Sequence, residues 1–396
     1  GLFMFGCGQS SEKFIAKGEE YLKKRKFYDA MMQFRSAAEY DKDSAKAHWG
    51  LARSYENLGR FNETLDELRR TVELDPKHLD AKARLGNYFL LFDPPIIDES
   101  EKTQQEIIAI DPNFIEGHVL KASIMAAQNR PEAQVVAKMN EAIAIDPKRT
   151  ETYLSLSRYY VTREMAREAE DTIKKGIEAN PGSVVGVIEY GRFLTFAARN
   201  SEAEVQFRNA IAVEPANIEA HEAIADFYVS TRQYDKAENA YKELVSIQEN
   251  SPESRLDLAE FYVVIDRTDA AEATLLQIIK ESPDYTRARY RLGQIYLDSK
   301  DSAKVTEQVD ALLKINNNDV EALMLRARVR MLDNQPNDAI RDLEDILKKH
   351  PSERDALFYI AQAKITVGQL DQAKAFIADL ERFHPTFLKA GLLKIQ

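Results

Sequence analysis

The chain has 396 residues, of which 44% are hydrophobic and 30% charged, with a net charge of −11. That balance fits a packed helical chain rather than a disordered one, and the negative charge argues against nucleic acid, which needs a basic stripe. A single cysteine, Cys7, excludes a disulfide framework and a Cys-ligated zinc site, and no run of 18 apolar residues is present to span a bilayer.

The first element is a short segment, residues 1–10, that follows no helical pattern. An apolar run ends in Gly6 and Cys7 and passes into small polar residues. It resembles the lipobox of bacterial lipoproteins, with Met4 where that family favours Leu and a bulkier Phe5 before the glycine. The resemblance implies cleavage after Gly6, lipid attached at Cys7, and a membrane contact made only through that lipid. Gly rather than Asp after the cysteine is similar to outer-membrane sorting.

From residue 11 a ruler of about 34 residues takes over. Helix-ending prolines stand at Pro76, Pro112, Pro147, Pro181, Pro215, Pro283, Pro351 and Pro385, with Glu249 and Asn317 at the two missing marks. Self-similarity at this period predicts stacked helical hairpins, an all-α solenoid. With the stop numbered position 32, position 8 is small in eleven consecutive units, from Gly18 and Ala52 through Gly191 to Ala361. Position 20 is alanine in seven units, among them Ala30, Ala203 and Ala373, while position 24 is usually large, as in Phe34 and Phe207. Small against large is how two helices interlock at native density. Position 11 is aromatic in many units, from Tyr21 to Tyr296, and reads as core.

The segments 18–37, 203–215 and 292–296 carry a pattern of Gly–x–x–Tyr, Ala–x–x–x–Phe and a closing Pro. In register over residues 11–387 this resembles the tetratricopeptide repeat family in eleven units. The resemblance implies a right-handed superhelix whose concave groove is built from the first helix of each pair. The expected organisation is an anchor segment 1–10, repeats 1–6 over 11–217, repeats 7–11 over 218–387, and a capping or truncated helix over 388–396. The soft boundary near 217 follows from position 27, which is small early (Ala37, Thr71, Ala142, Gly176, Ala210) and bulky later (Leu244, Ile278, Leu312, Ile346, Leu380). In unit 3 the pair Pro94–Pro95 must shorten or kink the first helix, and unit 4 has an extra residue near Pro131.

Positions 2, 5, 9 and 12 of a first helix share one face. In the resembling family that face lines the groove. The candidate partner-binding residues are Trp49, Arg53, Leu154, Arg158, Ile188, Arg192, Glu222, Asp226, Leu256, Glu260, Tyr290, Met324 and Phe358. Two readings of the apolar position 5 stay open: lateral packing on the next unit, or a peptide-binding track. Residues 218–285 hold 15 acidic and 6 basic side chains, so the groove is expected to carry a negative middle near Glu222 and Glu260, with positive shoulders at Arg158, Arg192, Arg287 and Arg328. Such a pattern selects a basic partner segment by charge.

No motif for a nucleophile, phosphate loop or metal site appears, and no two of the six histidines stand four apart on a helix. His48, His118 and His221 all occupy position 4, which reads as packing. The sequence therefore points to a non-enzymatic scaffold for protein or peptide ligands, with no catalytic residue, metal or cofactor. The lipobox resemblance adds a periplasm-facing bacterial envelope location, serving a secretion, pilus or exopolysaccharide-export assembly. A cytoplasmic adaptor and the repeat arm of a larger enzyme stay open beside it.

Overall fold

The computed structural model describes residues 7–384, with side chains from Ser11 onward. The expected lipid attachment at Cys7 and the helix expected over 388–396 lie outside the described side chains and residues. The described residues are all helix, turn and bend, with no strand among them. They divide into two compact units, 1–240 and 241–396. The division falls inside a helix, between the last small residue at position 27 (Ala210) and the first bulky one (Leu244).

Unit 1–240 holds six complete hairpins: α1 (Cys7–Lys23) with α2 (Phe27–Tyr40), α3 (Ala45–Asn57) with α4 (Phe61–Leu74), α5 (Leu79–Phe89) with α6 (Ile97–Ile110), α7 (Ile115–Ala127) with α8 (Glu132–Ile145), α9 (Thr150–Thr162) with α10 (Ala166–Ala179), and α11 (Val184–Phe196) with α12 (Asn200–Val213). The seventh opens with α13 (Ile218–Ser230), and its second helix, α14 (Tyr234–Ile247), crosses the division. Unit 241–396 continues with α15 (Pro252–Val264) and α16 (Thr268–Glu281), α17 (Thr286–Asp298) and α18 (Ser302–Ile315), α19 (Val320–Leu332) and α20 (Pro336–Lys349), and α21 (Arg354–Thr366) and α22 (Leu370–Phe383). Helices of one hairpin pack on each other, and the second helix of a hairpin packs on the first helix of the next, as α2 does on α3, α12 on α13, α16 on α17 and α20 on α21.

The small-against-large interlock is as the register requires. The Phe34 ring lies between Gly18 and Gly50, so close that a Cβ at Gly50 would come 2.2 Å from it. Gly191 faces Phe207 in the same way, at 2.6 Å, and Gly293 faces Leu325 at 2.5 Å. The position-8 alanines and the position-20 residues Ala30, Ala203, Ala271 and Ala339 are fully buried. In the third hairpin α5 runs for 11 residues against 13 in α3 and α7, so the Pro pair shortens the helix.

Three further devices recur. A small buried residue fills position 3, as in Ala47, Ala81, Gly186, Ala220 and Ala322. Its amide donates to the side chain of the capping residue three places earlier: Ser44, His78, Ser183, Asn217 or Asp319. Position 15, closing the turn inside the hairpin, takes a left-handed backbone in every hairpin but the third, at Arg25, Gly59, Asn129, Glu164, Ala198, Arg232, Asp266, Lys300, Asn334 and Gly368. Only two of these are glycine, so the turn imposes the conformation on ordinary residues. The position-4 histidines hold the turn between hairpins: Nε2 of His118 lies 2.8 Å from the Pro112 carbonyl and that of His221 2.9 Å from Pro215. The Tyr153 hydroxyl donates to Pro147 at 3.0 Å in the same role.

Candidate protein-interaction surface

The first-helix stripe divides by burial. Leu154, Ile188, Leu256 and Tyr290 at position 5 are buried, so they pack between repeats and form no open apolar track. Trp49, Met324 and Phe358 at the same position are half-buried. Arg158, Arg192 and Asp226 at position 9 are exposed, while Arg53 and Glu260 are partly covered.

Most of the charged candidates are paired inside the chain. In the first two hairpins Arg53 makes a two-pronged pair with Glu19, and its guanidinium stands 5.2 Å from the Trp49 ring. Arg84 covers the indole at 5.3 Å and pairs with Glu56. Burial, followed by the nearby Arg53 charge, holds the Arg84 pKa below its ordinary value. The imidazole of His78 tilts against the same indole at 4.8 Å. Trp49 is therefore the centre of a cross-repeat cluster of two cations and two carboxylates. Sequence reasoning singled out Trp49 and Arg53 but missed Glu19 and Glu56, which stand at positions 9 and 12 of the same face, and Arg84, which stands at position 6 beside it.

The expected alternation of a negative middle and positive shoulders is largely neutralised in unit 1–240. Arg192 pairs with Glu189 on its own helix and reaches Glu219 on α13 at 3.5 Å. Arg25, from the turn of the first hairpin, donates to Glu222 at 2.7 Å and stands 3.6 Å from Glu219. Burial pushes the Glu222 carboxyl up, Arg25 pulls it back, and the neighbouring Asp226 and Glu219 raise it again, leaving it above the usual range. In unit 241–396 Glu260 accepts from Arg291 at 2.8 Å, and Arg328 lies 5.4 Å from the Tyr359 ring. The Arg25 contact had no signal in the sequence, because residues 197 positions apart share no periodic pattern.

A second set of charges acts as buckles between hairpins, away from the stripe. Glu204 accepts from the Tyr228 hydroxyl at 2.9 Å and from Lys236, whose ammonium lies 5.1 Å from the Tyr228 ring. Glu272, Tyr296 and Lys304 repeat the arrangement in unit 241–396. Glu170 accepts from Tyr190, Lys174 and Arg199. Burial acts to raise its pKa, but those three donors outweigh it and hold the carboxyl at about 2. Among the described residues no group of three His, Cys, Asp or Glu is placed to hold a metal ion, and no helix is long and apolar enough to cross a membrane.

Comparison with known proteins agrees with the repeat register. Two family models, both described as tetratricopeptide repeat, match residues 15–78 and residues 231–284 with 330–390. The small glutamine-rich tetratricopeptide repeat-containing protein 2 of Mycosarcoma maydis is 22% identical over 134 residues, 34% of this chain. The match spans 37% of that relative, well under two thirds of its length. Among solved structures, yeast Tom70 aligns over 98% of this chain and 96% of its own at 15% identity, with a TM-score of 0.47. A tetratricopeptide repeat protein from Parabacteroides merdae aligns over 62% of this chain and 96% of its own at 17% identity, with a TM-score of 0.44. The chain belongs to the tetratricopeptide repeat family, and its repeats make it a protein-interaction scaffold of the solenoid class.

Proposed function

We propose that this chain is a non-enzymatic scaffold that holds protein or peptide partners along the first-helix stripe, the concave groove that the family architecture implies. One observation carries the reading: successive first helices in 1–240 present Arg158, Arg192 and Asp226 at the same register position, exposed, with buried Leu154 and Ile188 at position 5 of the first two. A rigid array of evenly stepped polar groups over a packed floor is suited to reading an extended segment. Charge pattern, rather than a deep apolar pocket, sets its selectivity. A basic segment meets Asp226 on α13. The test is capture of partners by the intact chain and by Arg158→Glu and Asp226→Lys variants. Loss of the same partners from both variants, with unchanged melting, supports the stripe; unchanged capture by both refutes it.

The lipobox resemblance at residues 1–10 extends the proposal to a periplasm-facing lipoprotein of a bacterial envelope, working in a secretion, pilus or exopolysaccharide-export assembly. Palmitate labelling with membrane fractionation, comparing wild type and Cys7→Ala, decides it. Label and membrane association lost in the variant support the anchor. No label in either protein moves the reading to an unanchored adaptor.

A further inference from the structure

The longest-range contact described in unit 1–240 joins the turn of the first hairpin to the first helix of the seventh. Arg25 donates from Nε to Glu222 at 2.7 Å and sits 3.6 Å from Glu219. Arg25 stands at position 15, where the backbone is left-handed (φ 56°). Five complete hairpins lie between the partners, and the pair closes that loop of repeats on itself.

The closure is electrostatic. Among the described residues, α1 and α2 share no extensive packing with α13; their contacts are with one another and with the neighbouring hairpin. Beside the pair lies an open cleft of about 740 Å³, with Lys23 and Arg25 on one wall and residues 213–219 on the other. Among the described contacts, the two walls meet through charge across an open cleft. All three side chains keep 29% of their surface in contact with solvent. An ion pair at such a site is weakened by salt, whereas a packed interface is not.

We infer that Arg25 is a latch: its contact with Glu222 and Glu219 holds unit 1–240 in a closed turn, and its release lets the first hairpin swing away from α13. The closed state withholds Glu222 from any outside cation, and the open state exposes it. The latch needs no partner to operate, so it stands or falls apart from the scaffold reading above.

The experiment is a distance measurement between spin labels on the full chain, at Lys13→Cys on α1 and Asp235→Cys just beyond α13, both exposed positions, with Cys7 replaced by serine. Three samples are compared: the labelled parent, Arg25→Glu, and the exchanged pair Arg25→Glu with Glu222→Arg. The latch predicts one narrow distance in the parent at low salt. It predicts a longer and broader distribution in Arg25→Glu, and in the parent at about 1 M salt, where the screening length is about 3 Å. The exchanged pair restores the narrow distance. The same distribution in Arg25→Glu as in the parent overturns the latch. So does a lengthening that the exchanged pair fails to reverse, since it would come from disruption of the turn rather than loss of the pair. Circular dichroism of each sample confirms that the helices are intact.

Discussion

The fifth hairpin, in unit 1–240, and the eleventh, in unit 241–396, solve one packing problem in opposite ways. In the fifth hairpin, position 27 is Gly176, and the ring base of Tyr153 from position 4 fills the room left by the missing side chain: a Cβ there would lie 2.9 Å from Tyr153 Cβ. The tyrosine can then reach across to the Pro147 carbonyl and tie down the turn. In the eleventh hairpin the same two positions are Leu357 and Leu380, packed together in one buried cluster. There the contact is filled by two medium side chains, and position 4 has no polar atom for the turn. The contact is filled either by a large side chain against a glycine or by two medium side chains. A long polar side chain at position 4 belongs to the turn, as His118, Tyr153 and His221 each reach the carbonyl of a helix-ending proline.

Substitutions can break that comparison, and the largest effect is expected in the leucine solution. Leu380→Ala leaves a cavity beside Leu357 and should cost about 3 kcal/mol. A loss under about 1 kcal/mol in chemical denaturation would mean that the site collapses and that volume does not govern it. Gly176→Leu overpacks Tyr153 and should cost about 1–3 kcal/mol, and adding Tyr153→Leu should recover most of it by converting the fifth hairpin to the solution of the eleventh. A double variant no better than the single would show that the turn hydrogen bond matters more than the volume. Gly191→Leu, pressed on the Phe207 ring, has no such rescue and should lose a similar about 1–3 kcal/mol; an unchanged melting curve would refute the register itself.

Smaller effects sharpen the account of the buckles and turns. The folded Glu170 carboxyl keeps its charge down to about 2, against an ordinary value of 4.5. Its contribution is therefore complete above that ordinary value and is lost as pH falls from about 4.5 toward about 2. Glu170→Gln should flatten the acid side of the stability profile across that window and leave the neutral side with a constant deficit. A profile parallel to wild type down to pH 2 would contradict the three-donor arrangement. Ala198 is held at φ 57° in its turn, so Ala198→Gly should raise stability by about 0.5 kcal/mol, the left-handed strain relieved outweighing the added freedom of the unfolded chain. A decrease would show that the turn carries no strain.

The repeat period made the fold legible. Position 8 and the position-20 alanines could be placed as buried from spacing alone, because helix contacts in a solenoid are local and return every turn of the ruler. The small residue at position 3 was equally periodic, but its significance depends on the capping hydrogen bond, which involves Ser, His, Asn or Asp in different repeats. The left-handed position 15 was hidden because glycine marks it only at Gly59 and Gly368. For the interaction surface the sequence located the stripe and its charges but not their pairing. Whether Glu222 faces solvent or Arg25 depends on how six hairpins wind, which no single repeat encodes.

The claim that the first-helix stripe receives partners is tested most directly by site-specific photo-crosslinking in the native host. A photoreactive residue is placed at Arg158 on the stripe of α9, or at Val205 on the outer helix α12, both exposed. Adducts to the same protein partner from Arg158, and none from Val205, are the predicted result. Adducts from Val205 with none from Arg158 would contradict it and move the interaction surface to the second helices.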